Sequence, residues 1–386
     1  MRRIKIILLL FLLGANSIIL SGCWNYRELD ELMIIMGAAI DKDKETNKYI
    51  LTVETVKSKT GKGGENSMIT DILSMEGDSV FDAARNLIMR SGKRLYWSHA
   101  KVIVISEEVA KEGMVGILDF ITRDAEARAD MWILISKEKS AKTLLEGKVK
   151  LHDTLAMHIE NMLESEKNIS KYYAIELWNF LSDLSTEGIA AVLPTATMIP
   201  KADERIPEIY GTAVFKKDKM IGWLDGIDTR SLMLIRGKLK GGLVLVVDVS
   251  NSGENVALEV FKSETKVKPV IKDNNIMMHI DVKMDVGIGE ILGTQDFISQ
   301  QGRNKLKEQA QAMLEAQIAR TLKKVQKEYK SDNFGFGSII QREMPGYWKK
   351  IHKNWNEIFP NVDTRIRVTI NIKESALMSK PIKVGD

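Results

Sequence analysis

The chain has 386 residues, of which 28% are charged, and a formal charge of +4. Arg2, Arg3 and Lys5 lie ahead of Cys23, so the sequence from Cys23 onward is close to +1, a balance with no signature of nucleic-acid binding. A single cysteine excludes an internal disulfide framework, and the length beyond it exceeds one compact core, so two or three domains held by packing are expected.

The chain opens Met1-Arg2-Arg3-Ile4-Lys5, followed by an apolar run over residues 6–20 broken by Gly14, Asn16 and Ser17. A charged start, a short apolar stretch and a small-residue cleavage site make residues 1–22 a secretory signal peptide. The run is shorter than the roughly 20 residues of a spanning helix. Leu20-Ser21-Gly22-Cys23 resembles the bacterial lipobox, in which the cysteine sulfur receives lipid before cleavage. Cys23 is therefore the expected lipidation site, carrying S-diacylglycerol and an N-acyl chain. Two or more acyl chains anchor a protein stably where one holds it only marginally. An uncleaved anchor helix with an incidental cysteine is the alternative.

Beyond Cys23, a short capped segment over 24–32 leads into an apolar strand over 33–40, a charged turn over 41–48 and a second strand over 49–56 rich in β-branched residues. Residues 57–70, with Gly61, Gly63 and Gly64, read as a flexible loop. Val80, Ala83, Ala84, Leu87 and Ile88 recur at helical spacing over 79–90, with Arg85 and Arg90 off that stripe. A doubly buried strand follows over 101–106. Ser106, Glu107 and Glu108 then start a helix that breaks at Gly113 and resumes to Arg123. A strand over 131–136 and a short helix over 140–146 complete an alternation that indicates a mixed sheet covered by helices.

Helical patterns occupy 151–168 and 171–182, and Pro194 and Pro200 make 189–199 extended. The charged, proline-bounded segment 201–207 is the expected domain boundary, separating a region over 23–200, divisible into two α/β subdomains, from a C-terminal α/β domain over 207–376. In the latter, a hairpin turns at 216–219, a short helix covers 225–235, and strands cover 242–249 and 256–261. Ile276, Met278, Ile280, Val282, Met284, Val286 and Ile288 alternate with polar residues as one face of a half-exposed antiparallel strand. Residues 299–330 form the longest helix, with an apolar stripe expected to pack on its own sheet, a membrane surface being the alternative. A segment around Trp348 and Trp355 and an alternating strand through Ile366, Val368, Ile370 and Ile372 close the chain. The fold class is α+β, with central sheets covered by helices in three domains.

No catalytic chemistry emerges. His99, His152, His158, His279 and His352 lack metal-ligand spacing, and His152 and His158, six apart, are not expected to share a helix face. The Asp41 to Glu45 run begins like a calcium loop, but Thr46 stands where glycine is needed, so a solvated turn is the better reading. The glycines at 61–64 and 287–293 have the wrong spacing for phosphate or dinucleotide binding. No serine elbow is present, and acylation would remove Cys23 as a nucleophile. No enzyme activity, metal or cofactor is expected apart from the lipid on Cys23.

Several blocks behind the lipobox together resemble one family, the C subunits of bacterial spore germinant receptors, the Ger(x)C or GerAC-type lipoproteins. They are Cys23-Trp24 with Glu28-Leu29, Met36-Gly37-Ala38-Ala39-Ile40-Asp41, Ala84-Arg85, Leu95-Tyr96-Trp97-Ser98-His99-Ala100-Lys101-Val102 and residues 120–128. Gly211-Thr212-Ala213-Val214-Phe215, Gly222-Trp223-Leu224 and the 299–329 helix follow in order. The resemblance implies a three-domain α/β lipoprotein on the outer surface of the inner spore membrane. It further implies assembly with two integral-membrane subunits, of A and B type, into a nutrient germinant receptor, with other germination lipoproteins as further partners. A solute-binding lipoprotein of an importer is the alternative, and a cell-envelope hydrolase a third.

Overall fold

The structure, a computed structural model, describes residues 2–8, 28–60, 66–147, 152–201, 204–249, 253–272 and 275–374. Cys23 and its lipobox lie outside these residues, as do Gly61, Gly63 and Gly64.

Two sheets organise the chain. The larger has nine strands: β1 (Leu32–Lys42), β2 (Tyr49–Thr60), β3 (Asn66–Gly77), β4 (Arg94–Tyr96), β5 (Val102–Ser106), β6 (Trp132–Ser136), β7 (Val192–Lys201), β8 (Glu204–Lys216) and β9 (Lys219–Leu224). They run in the order β3-β2-β1-β5-β6-β7-β8-β9, with β4 beside β1. The β1, β5, β6 and β7 strands are parallel neighbours, and antiparallel hairpins extend the sheet on both sides. Their apolar runs are continuous because helices cover both faces. Helices α1 (Val80–Ser91), α2 (Glu107–Glu112) and α3 (Val115–Arg123) lie toward one face, and α4 (Leu155–Glu164) covers the other. A methyl group at Gly37 of β1 would meet Ala156 Cβ of α4 at 2.8 Å, so this close approach admits no side chain.

Buried carboxylates hold the short helices at their N-termini. Glu54 of β2 accepts the Leu155 and Ala156 amides at 2.8 Å each. Asp41 accepts from the Ser140 hydroxyl and from the Ala141 and Lys142 amides. Such placement satisfies orphan N–H groups and suits the helix dipole. Asp41 is thus buried rather than solvated, which corrects the expected turn. The turn proper is built by Asp43, whose carboxylate accepts the Glu45 and Thr46 amides.

The smaller sheet has the order β10 (Gly242–Val246), β11 (Asn255–Lys272), β12 (Asn275–Leu292) and β13 (Asp363–Glu374), with β13 parallel to β12. The alternating residues of β12 from Ile276 to Ile288 are all buried. Helices cover that face: α6 (Gly226–Ile235), α7 (Gln300–Lys324), α8 (Phe336–Glu343) and α9 (Pro345–Ile351), with α5 (Leu177–Ser185) reaching the same core from the first half. Helix α6 is buried at every position but Ile227 because it lies between β8 of one sheet and β11 of the other, with α7 against it. One apolar cluster runs through both sheets, from Met33 to Ile370, and the second spans Met36 to Ile209. Among the described residues, none ahead of Met33 belongs to either cluster.

Two segments differ from the sequence expectation. Within the polar stretch 57–70, residues 57–60 lengthen β2 and residues 66–70 begin β3, which pairs with β2 from Tyr49↔Gly77 to Thr60↔Asn66, so backbone pairing at the sheet margin tolerates their polarity. On either side of the expected boundary, β7 and β8 pair as a hairpin, with Pro200 opposite Arg205 and the Arg205 guanidinium 3.0 Å from Glu138. Residues 171–176 are extended rather than helical, because Tyr172 bridges to Gly211 and Glu176 to Trp132 before α5 starts.

Candidate interaction surface

The Leu95 to Val102 block forms the end of β4, a turn of 3-10 helix at Trp97–His99 and the start of β5. Trp97 is buried, and its ring meets Phe120 of α3 edge-on at 6.0 Å. Phe120 in turn contacts Phe81 of α1 at 5.9 Å, and the Arg85 guanidinium lies 4.9 Å over the Phe81 ring. Phe81 is 51% exposed. This relay carries aromatic surface from the core to solvent, where it lines a groove of about 540 Å³ between α1 and α3.

Local sequence fixes both walls. Ser79 caps α1 by accepting the Asp82 amide at 3.1 Å, and Gly92 ends it in the left-handed conformation. Val80, Ala83, Ala84 and Leu87 bury one stripe, which leaves Phe81 and Arg85 together on the opposite side, four residues apart. On the facing helix Arg123 donates to both oxygens of Asp119, which holds that carboxyl below its ordinary value. Arg94 pairs with Glu126 at 3.0 Å. Arg85 has no carboxylate within 4.0 Å among the described residues, so its charge is committed only to the Phe81 ring and the groove.

The other side of the block is polar. Ser98, His99, Lys101, Arg128, Asp130 and Glu160 line a cleft of about 210 Å³. Lys101 pairs with Glu160 at 3.0 Å, and Arg128 bonds Asp130 at 2.9 Å and holds its carboxyl down. The Ser98 hydroxyl donates to the Glu126 carbonyl, and the His99 ring leans on Tyr96, so the two are not arranged as nucleophile and base. Among the described residues no three His, Cys, Asp or Glu side chains group as metal ligands.

The structure brings together one pair that sequence spacing did not. His152 and His158 face each other with their Nδ1 atoms 3.0 Å apart. His152 precedes Thr154, the cap of α4, so helix periodicity does not govern its position and the chain folds back over the first turn. Burial and the neighbouring ring push the His158 pKa down. His279 stands on the open face of the smaller sheet between Lys268 and Arg365, and His352 lies against Trp348. Cys23, the expected lipidation site, lies outside the described residues. Sequence reasoning passed over Phe81 and Phe120 as partners. The available signal was an aromatic residue four positions before an arginine on the polar side of a helix.

The groove can grip an apolar side chain against Phe81 and Phe120 while Arg85 meets an acceptor group, which is recognition rather than bond chemistry. Three blocks that carried the family resemblance, at residues 84–85, 95–102 and 120–128, converge on it.

Comparison with known proteins matches the chain in two consecutive parts. Residues 25–198 match the family described as spore germination protein N-terminal domain, and residues 210–376 match the one described as spore germination B3/GerAC like, C-terminal. The chain is 25% identical over 402 residues to spore germination protein KC of Bacillus subtilis (strain 168), with 97% of each chain covered. It is 23% identical over 359 residues to spore germination protein B3 of the same organism, covering 92% of this chain and 94% of the relative. The crystal structure of the GerBC protein aligns with a TM-score of 0.55 at 22% identity, covering 87% of this chain and 96% of that one, a likeness of fold.

Proposed function

The chain belongs to the GerAC-type family of spore germination proteins, and from that premise we propose that it is the non-enzymatic C subunit of a nutrient germinant receptor, required for the spore's response to nutrients. The observation that carries this reading is the end-to-end match of two spore germination families, in order, over nearly all of the chain after Cys23. In this reading Cys23 bears the lipid and holds the body on the outer surface of the inner spore membrane, where it meets the A- and B-type integral-membrane subunits. Among the described residues no helix is long and apolar enough to cross a membrane. The groove between α1 and α3 is the surface we assign to a partner subunit.

A solute-binding lipoprotein needs two comparable lobes around a cleft. Sheets of nine and four strands sharing one core do not provide that arrangement. The deciding experiment is deletion of the gene in its own host, followed by dipicolinic acid release from purified spores given single nutrients. Loss of response to particular nutrients, restored by the wild-type gene and not by Cys23→Ala, is expected. An intact response to every nutrient in a strain lacking related receptors overturns the reading.

A further inference from the structure

The four-stranded sheet is covered on one face only. Paired residues share a face in a sheet, so the register places five cross-strand rows on the open side. Lys268, His279 and Arg365 form one row, and Lys266, Asp281 and Arg367 the next. Glu264 with Lys283, and Lys262 with Asp285, continue it, and Val270, Met277 and Asp363 begin it. Two of the acids are engaged: Glu264 pairs with Lys262 at 2.6 Å and Asp285 with Lys373 at 3.7 Å. Lys266, Lys268, Lys283, Arg365 and Arg367 have no ion pair within 4.0 Å among the described residues, against Asp281 and Asp363. A chain that is nearly neutral overall thus gathers unpaired cations on one open face.

We propose that this open face of the smaller sheet, led by Lys266, Lys268, Arg365 and Arg367, docks the protein body on an anionic phospholipid surface. Charge complementarity supplies the attraction, since clustered Lys and Arg at a bilayer bind acidic headgroups. Three features favour a bilayer over an acidic protein. Apart from His279 and the exposed Phe261 in the bulge beside Lys262, the five rows hold no aromatic residue, whereas protein interfaces build a core that is depleted in charge and enriched in aromatics. At the distal end of the β11–β12 hairpin, Val270 is 38% exposed on this face between Lys268 and Lys272, an aliphatic step flanked by cations that suits the headgroup boundary. Lipid on Cys23, as proposed above, holds residue 28 within about 18 Å of the bilayer, the reach of five extended residues.

The inference concerns orientation and does not require the lipid. It is tested with the body from Trp24 to Asp386, which retains every residue of both apolar clusters. Co-sedimentation with vesicles of equal parts phosphatidylglycerol and phosphatidylcholine should show binding that weakens as salt rises, and pure phosphatidylcholine vesicles should show none. Lys266→Glu, Lys268→Glu, Arg365→Glu and Arg367→Glu combined should weaken binding by about tenfold or more. These side chains are exposed, so the thermal melt should stay at the wild-type value. The same number of reversals on the helices behind the sheet, at Lys305, Lys323, Lys349 and Lys350, should leave binding nearly unchanged. The body carries no cysteine, so Val270→Cys on the open face gives a single site for an environment-sensitive dye, whose emission should shift blue with anionic vesicles. No vesicle binding, equal binding to both vesicle types, or equal loss in the control set overturns the proposal. Binding of soluble polyglutamate without vesicle binding also overturns it and assigns the face to an acidic protein. Each of these outcomes is independent of whether spores lacking the gene germinate.

Discussion

The Arg236 guanidinium stands 2.8 Å from the Asp183 carboxylate, joining the end of α6 to α5 across 53 positions of sequence. The same side chain donates from Nε to the Asn333 carbonyl at 2.7 Å and from Nη2 to the Ala190 carbonyl at 2.8 Å. It is only 6% exposed and joins segments from both halves of the chain. A lysine ammonium has the charge but not the planar fork. Arg236→Lys should therefore leave carbonyls unpaired and destabilise the body by about 2–4 kcal/mol. Urea unfolding measures this, and a change below about 0.5 kcal/mol would mean the fork does not tie the halves together.

Asp332 makes a comparable tie within one half. Its carboxylate accepts the Gly335, Phe336 and Gly337 amides and the Trp355 indole N–H, which starts α8 and pins the aromatic cluster of Phe334, Phe336, Trp355 and Phe359. Complete burial raises its pKa to about 6 in spite of these donors. Asp332→Ala leaves four buried donors without an acceptor and should cost about 3–5 kcal/mol. Asp332→Asn keeps one acceptor oxygen and should cost less. If the two variants unfold at the same urea concentration, the hydrogen bonds are not the source of the stability.

These ties mark the limit of what the sequence disclosed. The seven-residue alternation from Ile276 to Ile288, the caps at Ser79, Ser106 and Ser299, and the long helix that begins at Gln300 were legible because each is encoded by neighbours within a few positions. Strand β3 was not, because its polar residues are extended only by pairing with β2. The pairing of Arg205 with Glu138 was hidden because Glu138 lies 67 positions earlier. The groove was hidden for the same reason: Phe81 and Phe120 meet only when α1 and α3 pack beside each other.

Glu166 gives the body a pH dependence. Its carboxyl is buried near Lys240, one oxygen has no hydrogen-bond partner, and burial raises the pKa to about 7 from an unfolded value near 4.5. Because the folded state holds this proton more tightly, the contribution is fully present below about pH 4.5 and is lost as pH rises through about 7. Wild type should therefore lose about 2 kcal/mol relative to Glu166→Gln between pH 5 and pH 8. Urea midpoints of both proteins at the two pH values test this. Parallel profiles would mean that Glu166 titrates normally.

The groove between α1 and α3 makes the sharpest functional prediction. Phe81 is exposed and in the first turn of α1, where an acidic side chain suits the helix dipole, so Phe81→Asp should fold without loss of the helix. Arg85→Glu reverses the cation that lies over that ring and touches no buried ion pair. Each variant should melt within a few degrees of wild type, and spores carrying either should release dipicolinic acid about tenfold more slowly in response to nutrient. Phe81→Tyr keeps the aromatic face and should retain most of the response, which separates recognition by the ring from a general effect of changing the position. Germination at the wild-type rate with both Phe81→Asp and Arg85→Glu would remove the groove as a partner surface while leaving family membership untouched.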